Sequence, residues 1–120
     1  MSWIYVFIGS GLGGLCRYKI SDFLNRPEWN IAYGTLISNL LACLILGLAI
    51  GYHEKNGLGV NNRLLLITGF CGGFSTFSTF SYELLKHFLD INILSLVSYL
   101  LLSLVLGTLF VYLGVILVKG

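Results

Sequence analysis

Charge is scarce in this sequence. Asp, Glu, Lys and Arg make up 10% of it, where a soluble domain carries about 25%. The apolar share is 57% over 120 residues, and so short a chain cannot fold that much apolar surface away from water. Its solvent must be largely lipid. Seven basic residues stand against five acidic ones, and no basic run exists to engage phosphates, which argues against nucleic acid. Cysteine is limited to Cys16, Cys43 and Cys71, with no CxxC spacing. All three fall in apolar segments and read as small packing residues, not as metal or redox groups. The start, Met1-Ser2-Trp3, lacks the basic region of a signal peptide, so the first apolar stretch is expected to stay as a membrane helix.

What the sequence does have is apolar length. A bilayer core of about 30 Å needs roughly 20 apolar residues in a helix. Ile31 to Tyr52 carries no charge over 22 residues, Leu64 to Tyr82 none over 19, and Ile91 to Val118 none over 28. A first segment is uncharged from Trp3 to Cys16, after which Arg17 and Lys19 arrive. Both can snorkel toward headgroups and extend that helix to about Phe23. Short connections separate the segments: Asn25 to Asn30 with the lone proline, Pro27; Glu54 to Asn62 with Gly57 and Gly59; and Lys86 to Asn92. Trp3, Trp29, Tyr33, Tyr52 and Tyr82 mark segment ends, as membrane interfaces favour. The expectation is an all-α membrane protein, one domain over residues 1–120, with four transmembrane helices at about 2–23, 31–52, 63–86 and 92–118. Arg17, Lys19, Arg26 and Lys86 fall on one side, and Lys55, Arg63 and Lys119 on the other. Four against three is almost no bias. Either the positive-inside rule is silent here, or the chain inserts both ways round.

Polar residues recur inside the segments, where lipid cannot satisfy them, and a partner subunit is the natural remedy. Gly9 with Gly13, and Gly47 with Gly51, are spaced as GxxxG close-packing signals; membrane helices are also glycine-rich in general. Gly9 to Gly14 matches a GxGxxG dinucleotide fingerprint as well. No βα repeat follows, and Glu28 comes too early for the ribose carboxylate, so that reading fails.

The informative stretch is Gly69-Phe-Cys-Gly-Gly-Phe-Ser-Thr-Phe-Ser-Thr-Phe-Ser81, in the third apolar segment. Paired glycines and dense Ser and Thr are poor helix formers at a depth where helix is nearly obligatory. A break there would free carbonyls, hard oxygen ligands that suit a cation such as Na⁺. Beyond it, Phe77 and Phe80 would share a helix face. Thr76 with Thr79, and Ser75 with Thr79, would make rows of hydroxyls. The alternative is a packing face of small residues beside lipid-facing phenylalanines. In the second segment Thr35, Asn39, Cys43 and Gly47 form a stripe spaced by four, and Tyr99, Ser103 and Gly107 form another in the fourth. Asn39 is either a pathway donor or helix glue. Arg17 is either buried or snorkelling.

No Asp or Glu is expected inside any of the four spans, which argues against a proton-coupled pump, since that needs a titratable group in the membrane. His53 and His87 read as solvated residues at segment ends. Hydroxyls, an amide, aromatic ring edges and one guanidinium remain. That set suits a small, strongly hydrated anion held without a fixed charge that would slow its exit.

These residues resemble the CrcB/Fluc fluoride channels over nearly the whole chain. Gly69 to Phe80 is similar to the family's third-helix signature, Gly34-Thr35-Leu36-Ile37-Ser38-Asn39 to its GTLxxN motif, and Gly13 to Tyr18 to its Gly-rich first helix ending in Arg-Tyr. The resemblance implies a third helix broken near its middle and an antiparallel, dual-topology dimer in the cell membrane, with two narrow fluoride pores. It implies a central Na⁺ on the main-chain carbonyls of Gly72 and Ser75. Phe77 and Phe80 would turn ring edges to the anion, and Asn39 would donate to it. Thr79, Tyr99 and Ser103 would line the path, and Arg17 would lie near its aqueous vestibule. Ser75 stands where the family commonly has Thr, a change that a main-chain ligand survives. Some members pair two different chains; this one retains both sets of matches, so a homodimer is expected.

A small multidrug exporter of four helices is the runner-up, but it depends on a first-helix carboxylate, and none precedes Asp22. A holin-like pore would need no phenylalanine-hydroxyl register. An enzyme is the remotest class, for no nucleophile–base pair or metal-ligand set is visible.

Overall fold

The structure, a computed structural model, describes residues 1–29 and 31–120. Asn30, the last residue of the expected first connection, lies outside them. Every regular element among the described residues is helical, as a chain in lipid requires, since only intra-segment pairing satisfies its backbone there. Helix α1 spans Ser2–Leu24 and α2 spans Tyr33–Asn56. The third segment begins as α3, residues 60–74, in which Leu64–Cys71 winds with the wider i→i+5 pairing of a π-helix. Helix α4 is Phe77–Leu89 and α5 is Ile93–Lys119. Tyr33–Asn56, Val60–Leu89 and Ile93–Lys119 are each long and apolar enough to cross a membrane. The protein is a multi-pass membrane protein.

Local chemistry sets the ends. Asn25 leaves the helical region at the end of α1, and its Oδ1 accepts the Gly34 N–H at 2.6 Å, tying α1 to the start of α2. Gly57, with φ +81°, ends α2 in a conformation that costs a side chain dearly. Asn92 Oδ1 accepts the Ser95 N–H at 3.3 Å, capping the first turn of α5. In the tight turn before it, Ile91 sits at φ +54°, a strained setting for a β-branched residue.

Two backbone-to-backbone seams hold the bundle. On α1, Gly9 lies against Leu65 and Gly69, and Gly13 against Phe70 and Phe74. On α2, Gly47 lies against Val111 and Gly114, and Gly51 against Val115. Both GxxxG pairs are therefore filled within one chain and are not free to serve a partner. The GxGxxG run lies inside α1, without a strand before it. A small core of Leu36, Leu40, Phe80 and Tyr99 joins α2, α4 and α5.

Between α3 and α4 the chain is extended at Ser75 (φ −86°, ψ 159°) and Thr76 (φ −150°, ψ 121°). The hydroxyl rows expected from Ser75 or Thr76 to Thr79 do not form, because those rows require a continuous helix through residues that are not helical. Thr76 caps α4 instead, its Oγ1 accepting the Thr79 N–H at 3.1 Å.

A Cβ at Gly13 would overlap the Phe70 carbonyl, whereas one at Gly11 meets nothing within 4 Å. Gly13→Val is expected to cost about 1–3 kcal/mol or more by overpacking, and Gly11→Val far less. Thermal unfolding in detergent, read as loss of the monodisperse peak, checks this. Ile91→Gly should gain about 1 kcal/mol in the same assay by removing left-handed strain.

Candidate functional site

The extended pair at 75–76 disturbs four successive helical hydrogen bonds. The Thr76 N–H, which would have met the Gly72 carbonyl, donates to Asn39 Oδ1 at 2.8 Å. Asn39 Nδ2 donates back to the Thr76 carbonyl at 3.4 Å. The amide of α2 thus clasps the peptide at the break from both sides. The Gly73 carbonyl takes a bond from Arg17 Nε at 3.1 Å. Ser75 caps α3, its N–H and Oγ both donating to the Cys71 carbonyl, at 3.0 and 2.8 Å. The carbonyls of Gly72, Phe74 and Ser75 have no hydrogen-bond donor among the described residues. Carbonyl oxygens without donors, in an apolar surround, are the chemistry a hard cation requires.

Arg17 does not snorkel. It is half-buried one turn beyond Gly13 on α1, and its Nε reaches the Gly73 carbonyl beside the break. Asn39 is a clasp in this structure, with both amide atoms engaged.

The two phenylalanines sit side by side, with ring centroids 6.3 Å apart, but in unlike surroundings. Phe80 is 6% exposed and meets the Tyr99 ring edge-on at 5.0 Å, while Phe77 is 80% exposed. Thr79 is half-buried beside them. Ser103 Oγ is buried and unpartnered among the described residues, as is that of Ser38, a residue the sequence reading passed over.

One expectation is overturned. The third span is not free of carboxylates: Glu83, within the helix expected at 63–86, turns into the bundle. Tyr99 Oη donates to Glu83 Oε1 at 2.7 Å, and Thr35 Oγ1 to Oε2 at 2.9 Å. Tyr99 and Thr35 are both fully buried. Their protons point at a carboxylate and not into open space. The available signal was spacing: Glu83 lies three residues from Phe80 and four from Thr79, on their face of the helix.

Glu83 also forms part of the wall of an open recess of about 440 Å³ at the end of the subunit, with Asn25, Arg26, Lys86, His87 and Asp90 around it. His87 is not a free loop residue; it lies in α4, its ring edge-on to Tyr99 at 6.2 Å. His53 Nδ1 accepts the Leu58 N–H at 3.0 Å at the opposite end of α2. Glu83 in the recess wall thus bonds the buried Tyr99 and Thr35, and the Tyr99 ring packs on Phe80 in the first turn after the break.

Replacing Glu83 by Ala leaves the Tyr99 and Thr35 hydroxyls buried without an acceptor. The expected cost is about 1–3 kcal/mol in thermal stability. Glu83→Gln, which keeps a carbonyl oxygen, should lose less, and the order of the two melting midpoints checks the assignment.

The family model described as "CrcB-like protein, Camphor Resistance (CrcB)" matches residues 4–115. Similar proteins are the fluoride-specific ion channel FluC of Gloeothece citriformis, 39% identical over 97% of this chain and 95% of its own length; that of Flavobacterium psychrophilum, 37% identical over 96% and 94%; and that of Phocaeicola vulgatus, 38% identical over 95% of both. Those relatives are named as channels, not enzymes. With the match covering the glycine seam, the break and the Phe77–Phe80 pair alike, the chain belongs to the CrcB-like family.

Proposed function

We propose that this protein is a fluoride-selective channel of the cell membrane, passing the ion down its gradient and so conferring resistance to it. It is not an enzyme. The observation that carries the reading is the break at Ser75-Thr76, set beside two phenylalanines in a chain whose relatives are named fluoride-specific channels.

A small anion must trade its water shell for donors that release it again. Along the proposed path these are ring edges of Phe77 and Phe80, the hydroxyls of Thr79 and Ser103, and the Asn39 amide. Tyr99 holds the recess end, its hydroxyl oriented by Glu83. Arg17 stands near the path with its terminal nitrogens, since its Nε is engaged at Gly73. Helix α4 begins at the break, so the positive end of its dipole faces the same place.

The active unit in this reading has all four helices, α1 included, crossing the membrane. Two copies pair antiparallel, each able to insert either way round, and each pore draws on both. Phe77, exposed on the single chain, supports this, because a ring edge serves an anion only inside a walled path. The donorless carbonyls of Gly72 and Ser75 fit a central Na⁺ held by main-chain oxygens from both copies. That ion would supply fixed positive charge at the junction of the subunits. The exporter alternative needs a first-helix carboxylate, and Asp22, the first in α1, is exposed near its end.

Purified protein in liposomes loaded with potassium fluoride should release fluoride to an ion-selective electrode, while chloride stays inside. Efflux no faster than from empty liposomes, or equal passage of chloride, would overturn the reading. Phe77→Ile removes the ring edge, and Asn39→Asp replaces the donor with charge. Each should lower flux by about tenfold or more, the scale of losing one well-placed polar contact worth about 1.4 kcal/mol. Near-normal flux in both would remove these residues from the path.

A further inference from the structure

We infer that Arg17 is a positioning residue, which fixes the Gly73 carbonyl and thereby sets the geometry of the helix break. A charge that merely attracted anions would need no such bond. Gly9, Gly13 and Arg17 follow one another at intervals of four along α1, so they form one stripe. The first two lie backbone-to-backbone on α3, and Gly73 answers from the other side, where a Cβ would strike the Ser10 carbonyl. Arg17 is the next position on that seam. Its Nε lies 3.1 Å from the Gly73 carbonyl, beside the break.

The bond has a specific task. With Ser75 and Thr76 extended, the Phe77 N–H no longer reaches the Gly73 carbonyl. Four successive carbonyls, 72 to 75, would then lack their helical donors. Arg17 withdraws one of them by a charge-assisted bond, the strong kind. The carbonyls of Gly72, Phe74 and Ser75 remain without donors, Gly72 and Ser75 being the two proposed for the cation, and the peptide between residues 73 and 74 is held in one orientation. Asn39 fixes the next peptides along, from α2. Between them the two side chains hold the break from opposite walls. Lysine cannot substitute: its flexible ammonium offers a point charge, not a planar fork with a fixed Nε–H.

This inference rests on the channel reading, since flux is one readout, and the experiment separates the two. Wild-type protein, Arg17→Lys, Arg17→Gln and the charge control Lys19→Gln are reconstituted and compared. A silent wild type would sink the channel reading and leave hydrogen exchange in detergent to judge the inference. If Arg17 positions the break, both Arg17 variants lose maximal flux by about tenfold, with little change in half-saturating fluoride. The loss should persist from about 0.05 to 0.5 M salt, across which exposed charge is screened away. Amide exchange at residues 72–78 should quicken in both, and Lys19→Gln should match wild type. A lysine variant with wild-type flux, or a glutamine defect that salt abolishes, or unchanged exchange at 72–78, overturns the assignment. If Arg17→Gln does not fold, exchange in Arg17→Lys decides alone.

Discussion

A peptide group that leaves helical pairing in the middle of a membrane protein has no water to turn to, and every feature of this site follows from that constraint. Each unpaired group costs several kcal/mol in hydrocarbon. The chain nevertheless runs extended at Ser75 and Thr76. It can do so because Asn39 accepts from and donates to Thr76, Arg17 donates to Gly73, and Thr76 caps the helix that resumes. What those partners leave over is a small set of bare carbonyls in one place. The same constraint that makes the break costly gives it ligand chemistry.

The glycine seam between α1 and α3 lets Arg17 reach. Gly13 and Gly73 bring those two backbones into contact, which sets Arg17 within hydrogen-bond range of Gly73, while Gly47 and Gly114 join α2 to α5. A seam of larger residues would move Arg17 outward by several ångström, beyond hydrogen-bond range of Gly73. Packing and site are one arrangement, and the stretch of π-helix at Leu64–Cys71 belongs to it, because it runs along the seam immediately before the break.

The class of the protein was legible from uncharged length, and the region of interest from Gly72-Gly73 and the hydroxyl run after them. These are local signals: residues that resist helix in a place that demands it. Pairings were less legible. Arg17 read more readily as a snorkelling side chain, because its partner lies 56 residues away. Glu83 was missed because the uncharged run, and not the whole helix at 63–86, set which residues counted as interior. Helices in lipid end where pairing ends, and a carboxylate can stay inside when two hydroxyls meet it. The GxxxG pairs misled in the other direction: they suit any close helix contact, and here the contact is within the chain.

The unlike surroundings of Phe77 and Phe80 bear on how many copies the proposed path needs. Phe80 is walled by Tyr99 and the α2 core, so its orientation is fixed within one chain. Phe77, three residues earlier, stands open, and so does Gly72 on the other side of the break. A ring edge facing lipid does nothing for an anion, and a bare carbonyl facing lipid is a standing cost. Both defects lie next to the break and both are removed by one covering surface. That surface must bring oxygen-tolerant chemistry to Gly72 and an apolar wall to Phe77. In the proposed pairing, a second copy of the same break, turned over by an in-plane two-fold axis, would carry the two together: its own carbonyls to share a cation, and its own ring to complete the wall. Such an axis would set the two copies in opposed orientations, and with Arg17 turned inward to the break the basic residues left to the two sides number three and three, a balance in keeping with that proposal.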